Sequence, residues 1–286
     1  GSLFVFLRPL GLRLSGHLPT LQDRSGTGSP SASGPAPAAP QEKAQGAESP
    51  VTPAPEQAKA PAEEKAGQSQ AKPGSLAALM EQDTVLILAL QDRGVSMGSG
   101  FFIAKDTILT NAHVVGAASQ AVFINKKIGQ VRNATVLLRT QEQGLDFAVL
   151  KTDPMDVTPL KISTQTVERT TKVSAWGYPG MVANSDPKFL KLLHGDASSA
   201  PEVVYTEGTV SVILDRRPPI IVHSATVSQG NSGGPLVNEK GTVVGINTMI
   251  QLDNQSYRQS SLAISSPTIT AFLKANNVPF EADDSK

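Results

Sequence analysis

Apolar side chains along this chain come in short runs and alternations, not at helical spacing. From Thr84 onward, segments rich in Val, Ile, Thr and Phe recur at close intervals. They cover residues 85–90, 100–104, 107–109, 121–124, 134–139 and 147–151. After Pro159 they cover 172–176, 208–214, 220–223, 242–249 and 261–265. Gly, Asp, Asn or Pro punctuate most of the gaps. Many short strands with frequent turns and no alternating helices predict an all-β domain. The strand number suits two six-stranded antiparallel β-barrels side by side, spanning about 84–163 and 170–265; periodicity alone does not separate this from one sandwich. Two segments break the pattern. Ser266-Pro267 followed by Ile269, Phe272 and Leu273 at helical spacing predicts a short C-terminal helix. Asp186-Pro187 followed by Phe189, Leu190, Leu192 and Leu193 predicts another.

The pattern of strands has no counterpart at the front. Of the 21 Pro, 9 fall within residues 26–75, together with 12 Ala, and Val51 is the one large apolar residue between Gln22 and Ser75. Such a stretch buries too little apolar surface to offset an ordering cost of about 1–2 kcal/mol per residue. Residues 1–75 are therefore expected to be a disordered Pro/Ala-rich tail and linker, and 76–286 the folded domain. Gly1-Ser2 has the look of an expression scar. The apolar run Leu3-Phe4-Val5-Phe6-Leu7 before Arg8 is too short to span a bilayer. It reads as the trimmed end of a signal anchor, as part of an Arg-rich presequence, or as a tail of no consequence. The first of these places the chain in the cell envelope, periplasmic or secreted, with a membrane tether through the missing N-terminus.

Charge and cysteine count then narrow the chemistry. Lys+Arg and Asp+Glu are 25 each, so no basic excess is available to neutralise phosphates, and nucleic acid is not an expected partner. With Cys 0, disulfides, thiol nucleophiles, thiolate zinc sites and iron–sulfur clusters are excluded. Histidine chemistry is limited to His17, His113, His194 and His223. His194 and His223, without cysteine or a carboxylate cluster nearby, make a poor metal-site case, and neither a metal nor a cofactor is expected.

Three segments carry candidate chemistry. In Gln229-Gly230-Asn231-Ser232-Gly233-Gly234-Pro235, glycines surround a serine just before an apolar strand. A nucleophilic serine needs a sharp turn and backbone N–H groups aimed at a developing oxyanion, and glycine permits both. The N–H groups of Gly230 and Ser232 are the candidate oxyanion hole. In Thr110-Asn111-Ala112-His113-Val114-Val115, a hairpin is expected to end at His113, a candidate general base. In Gly144-Leu145-Asp146-Phe147-Ala148, Asp146 opens an apolar strand, where a buried carboxylate would hold the imidazole tautomer. Each alone has an ordinary structural explanation; together, in the order His113, Asp146, Ser232, they outweigh it.

On these strings, with Gly98-Ser99-Gly100-Phe101 and Gly245-Ile246-Asn247-Thr248, the sequence resembles the chymotrypsin-like serine proteases, most closely their HtrA/Deg-type bacterial branch. The resemblance covers roughly residues 85–274. It implies two β-barrels with the active site between them, His113 and Asp146 from the first and Ser232 from the second. It also implies peptide hydrolysis through an acyl-enzyme, with protein or peptide substrates. It places Thr226, Val227, Ser228 and Gln229, with Thr248, Met249 and Ile250, around the primary specificity pocket. Thr226 is not acidic, which disfavours Lys or Arg before the scissile bond, and Met249 and Ile250 favour a small or medium aliphatic residue there. The alternative is a catalytically silent module that holds peptides in the same cleft.

Three departures bear on this picture. The chain ends soon after the C-terminal helix, leaving no room for the PDZ domain usual in HtrA proteins. Residues 181–204 form an insertion, read equally as a lid over the active site or as a tolerated surface excursion. No Ile-Val-Gly-Gly segment precedes the first strand, so activation by insertion of a new N-terminus is not expected. HtrA relatives are often trimers, but no aromatic cluster beside the barrel start compels one, so monomer and trimer both stand. His194 is expected to cap the insertion helix, and His223 to be a half-buried structural residue.

Overall fold

The computed structural model describes residues 72–92, 94–179, 187–248 and 261–285, all within one unit. Residues 1–71 of the predicted tail, residues 180–186 before the insertion helix, and Met249 and Ile250 lie outside the described residues. Six strands close the first barrel: β1 (Thr84–Gln91), β2 (Gly94–Ala104), β3 (Thr107–Thr110), β4 (Gln120–Ile124), β5 (Arg132–Thr140) and β6 (Phe147–Lys151). Their order around the barrel is β1-β2-β3-β6-β5-β4. The second sheet holds β7 (Ile162–Ser163), β8 (Lys172–Gly177), β9 (Val204–Leu214), β10 (Ile220–His223), β11 (Pro235–Asn238), β12 (Val243–Thr248), β13 (Ser261–Ser265) and β14 (Ala282–Asp283). Its order is β11-β8-β9-β10-β13-β12-β7-β14, and a β11–β12 pairing closes six of these strands into a second antiparallel barrel. The short β7 pairs in parallel with β12 and β14, so residues 162–163 belong to the second sheet although the hydrophobic pattern groups them with the first.

Helix α1 (Leu76–Asp83) precedes the first strand and was not anticipated from the hydrophobic pattern. Its signal is local. Ser75 accepts a hydrogen bond from Ala78 N at 3.2 Å as an N-cap, ahead of the strong helix formers Leu-Ala-Ala-Leu-Met-Glu-Gln. Met80 is fully buried, and Leu76, Ala77 and Leu79 pack beside it. They join a core made by Phe101, Phe147 and Val149 of the first barrel with Trp176, Val222 and Ile264 of the second. This shared apolar layer holds the two barrels in one arrangement. Helix α4 (Ser266–Ala275), the predicted C-terminal helix, buries Ile269 and Leu273 in the same layer.

Strand β1 shows why the 85–90 run is continuous and not alternating. Val85 and Ile87 face the interior of the first barrel with Phe102, Ile108 and Phe123. Leu86 and Leu88 point outward, where they meet Val122, Ile124, Tyr178, Leu192 and Ala200. The last two belong to the insertion, whose helix α3 (Pro187–Leu193) forms where Asp186-Pro187 predicts it. The described part of the insertion therefore covers the outer face of β1 and β4. A Lys126–Glu202 ion pair fastens its far end. His194 N–H and Nδ1 both reach the Leu190 carbonyl, as expected of a residue ending that helix.

Candidate functional site

The strand before His113 stops earlier than the hairpin pattern implies. Strand β3 ends at Thr110, and His113 sits in a one-turn helix, α2 (Ala112–Val115), with Val114 and Val115 buried behind it. The helix brings two His113 groups to one carboxylate. His113 N–H donates to Asp146 Oδ1 at 3.0 Å, and His113 Nδ1 lies 2.5 Å from Asp146 Oδ2. Asp146 immediately precedes β6 and is held there by the Asn111 side-chain amide, which donates to the Asp146 backbone carbonyl at 2.8 Å. Thr248, at the end of β12, donates its hydroxyl to Asp146 Oδ2 at 3.2 Å. Burial acts to raise the Asp146 pKa, but the hydrogen bonds and positive charge of His113, with the Thr248 hydroxyl, outweigh it and leave the carboxyl below its usual range. The carboxylate therefore stays ionised and holds the Nδ1 edge of the His113 ring in place. The His113 side chain is 37% exposed.

Ser232 lies on a loop pinned from both sides. Gly233 N–H donates to the Asn247 carbonyl and Asn247 N–H to the Gly234 carbonyl, both at 2.9 Å. Ser99 N–H donates to the Ser232 carbonyl at 2.8 Å. Two glycines are required by this packing. Gly230 has φ +98°, and a Cβ there would meet the Tyr178 carbonyl oxygen at 2.4 Å; Gly233 has φ +84°, and a Cβ would meet the Ser99 carbonyl and Thr110 Oγ1 at 2.3 Å. Gly98 marks the closest approach to the His113 helix: a Cβ there would strike Val114 and come within 3.0 Å of the Ser232 carbonyl. Ser232 Oγ is buried and makes no hydrogen bond. No backbone carbonyl among the described residues accepts from the N–H groups of Gly230 or Ser232.

Ser99 is a site residue that motif reading did not single out. Its hydroxyl is fully buried, donates to the Gly230 carbonyl at 2.7 Å and accepts from Tyr178 N–H at 3.0 Å. Thr110 Oγ1 donates to the Ser99 carbonyl at 2.7 Å. The only trace of this in the sequence is Ser99 between two glycines, a string that marks a tight spot without saying what it touches. Thr248 also changes role: it was grouped with the pocket walls, and its hydroxyl is engaged by Asp146. Of the other expected wall residues, Thr226, Ser228 and Gln229 are exposed and Val227 is half-buried. His223 is not half-buried but 1% exposed, because it points into the barrel interior and not along its rim.

The trypsin-like peptidase domain profile matches residues 98–246, a span that includes His113, Asp146 and Ser232. The chain belongs to the trypsin-like peptidase domain family. Its relatives include a putative serine protease, HhoA, from Synechocystis sp., 34% identical over 169 residues, covering 56% of this chain and 39% of HhoA. The magnetosome formation protease MamE of Paramagnetospirillum magneticum is 32% identical over 184 residues, covering 62% and 23%. A probable periplasmic serine endoprotease, DegP-like, from Hahella chejuensis is 33% identical over 175 residues, covering 59% and 33%. The chain thus spans well under half the length of these relatives. Among solved structures, the serine endoprotease from Yersinia pestis superposes with TM-score 0.54 at 24% identity, covering 72% of this chain and 67% of that one. The active form of the Rv3671c protease from M. tuberculosis gives 0.55 at 21%, covering 73% and 86%. Both likenesses support the two-barrel fold.

Proposed function

We propose that this chain is a serine endopeptidase in which Ser232 is the nucleophile, His113 the general base and Asp146 the group that orients and stabilises the imidazole. The observation that carries this reading is the two-point grip of Asp146 on His113, reinforced by Thr248, beside the pinned Ser232 loop. Ser232 Oγ attacks the peptide carbonyl carbon and its proton passes to His113 Nε2. The oxyanion is received by the N–H groups of Gly230 and Ser232. Collapse breaks the C–N bond, His113 returns the proton to the departing amine, and water repeats the sequence to release the acyl group. The substrates are proteins or peptides. The periplasmic name of the Hahella relative supports a place in the cell envelope.

Ser232 Oγ has no hydrogen-bond partner, and this favours a second reading, a silent module that holds peptides in the cleft. One experiment separates the two. A fluorophosphonate probe should label the wild-type protein and leave Ser232→Ala unlabelled. Well-folded wild-type protein that takes no label refutes the enzyme and leaves the binding module.

A further inference from the structure

The turn that carries His113 cannot hold itself. Helix α2 has four residues and a single full-turn bond, from Gly116 N–H to the Ala112 carbonyl at 2.8 Å. A lone turn fixes several dihedrals for one hydrogen bond and is unstable alone. Burial of Val114 and Val115 anchors it. Apolar burial is non-directional, however, and sets the aim of His113 less sharply than hydrogen bonds do. Asp146 grips the first end of the turn. The other end presents the carbonyls that a short helix cannot satisfy internally.

Those carbonyls are taken one after another by side chains from three strands. Ser96 Oγ, on β2, lies 2.6 Å from the Val114 carbonyl, and the Ala89 carbonyl lies farther from it, at 3.2 Å. Gln91 Nε2, at the end of β1, donates to the Val115 carbonyl at 2.7 Å and to Ser96 Oγ at 3.0 Å. The one hydrogen of the Ser96 hydroxyl is therefore left for a carbonyl, and the nearer is that of Val114. Arg139 Nη1, on β5, donates to the Gly116 and Ala118 carbonyls at 2.5 and 2.7 Å. A Cβ at Gly116 would come within 2.6 Å of Gln91 Oε1, so the Gln91 side chain lies directly on the end of the helix. Gln91 and Ser96 are half-buried and Arg139 is exposed. Water competes least for the first two, which makes them the stronger part of the clamp.

We propose that Gln91, Ser96 and Arg139 are positioning residues that set the rotation of the His113 turn and, through it, the aim of the imidazole. The inference rests on the peptidase reading above. The three act on the backbone of α2 and not on the reacting groups. Asp146 makes both of its His113 bonds to this one turn, one to the backbone N–H and one to the ring, so a small rotation strains both at once. A misplacement of about 1 Å costs on the order of a hundredfold in rate. Loosening the clamp should therefore slow the chemical step and leave substrate binding alone.

The test uses the full chain and a fluorogenic peptide, with rates corrected for the folded fraction. Gln91→Met keeps the length of the side chain and removes both donors, and Ser96→Ala removes the hydroxyl. Each should lower kcat by about ten- to a hundredfold with KM little changed. Ser96→Thr, which restores the hydroxyl, should recover most of the loss. Gln91→Glu, the same shape without donors, should not. Arg139→Met should lose less than either. A second comparison removes the imidazole. In His113→Ala protein the clamp has nothing to aim, so adding Gln91→Met or Ser96→Ala should leave the residual turnover unchanged. Full kcat in both single variants overturns the proposal. So does a loss of equal size with and without His113, the mark of a general structural role. If Gln91→Met does not fold, Ser96→Ala and its recovery by threonine decide the matter. Wild type that takes the fluorophosphonate label while the variants turn over normally overturns this inference alone. Wild type that neither labels nor cleaves any peptide overturns the peptidase reading and this inference with it.

Discussion

Replacing Ser99 with alanine removes one oxygen and should damage both stability and catalysis. The hydroxyl bridges the Gly230 carbonyl, at 2.7 Å, and the Tyr178 N–H, at 3.0 Å, and is fully buried. Ser99→Ala leaves a buried acceptor and a buried donor without partners. Each costs about 1–3 kcal/mol unmade, and partial relaxation makes the sum smaller than two full penalties, so a net loss of about 2–4 kcal/mol is expected. The catalytic effect has a separate origin. The Gly230 carbonyl sits in the turn whose N–H groups are proposed to receive the oxyanion, and freeing it lets that turn rotate. Complete loss of one oxyanion donor costs about 10²–10³ in kcat; a loosened turn should cost about ten- to a hundredfold, with KM little changed. Stability should be read from urea denaturation in a Ser232→Ala background, which prevents self-digestion, and turnover from a fluorogenic peptide with Ser232 intact. A variant that loses less than about 0.5 kcal/mol and keeps full kcat would show that the Ser99 bridge carries neither load.

Two further outcomes follow from named groups. Thr248→Val removes one charge-assisted hydrogen bond from Asp146, worth about 1.5–3 kcal/mol. The expected result is a fall of about tenfold or more in kcat/KM together with a loss of fold stability of up to about 1.5–3 kcal/mol; unaltered kinetics would remove Thr248 from the site. Asp83 is fully buried with neither carboxyl oxygen paired, and burial pushes it up to about 8 from an ordinary 3.8. Between about pH 3.8 and 8 the folded protein holds a proton that the unfolded chain has released. Stability should therefore fall as pH rises towards 8, by at most about 1.4 kcal/mol per pH unit. His223, held down to about 4 from 6.5, tilts stability the other way below 6.5, so pH 6.5–8 isolates Asp83. Asp83→Asn should flatten the slope in that window, and a flat wild-type curve there would contradict the burial argument.

The strand pattern and the turn residues were enough to specify an all-β domain, because alternation and turn chemistry act within a few residues, while its division into two barrels came from the family resemblance. The C-terminal helix and the insertion helix were legible for the same reason, each marked by Pro at its first turn. Helix α1 was missed although Ser75 and the residues after it carry a helix signal, because its apolar face is completed only by the other elements of the shared layer. The 85–90 run was read as a strand, but its double burial depends on a cover from the 187–203 region, distant in sequence.

His113, Asp146 and Ser232 stand out in the sequence because glycine-rich and strand-edge strings are local. Which atoms they touch is not local. The Asp146 partners lie 33 and 102 residues away, and the Ser99–Gly230 bridge spans 131. Contacts at such separations exist only once both barrels have closed, since barrel closure alone brings β2, β12 and the Ser232 loop together. The same closure leaves His223, expected to be half-buried, fully buried. Sequence by itself determined the residue types on which this chemistry depends and the strands that carry them. Tertiary structure decided which hydroxyl holds the turn beside Ser232 and which one holds Asp146.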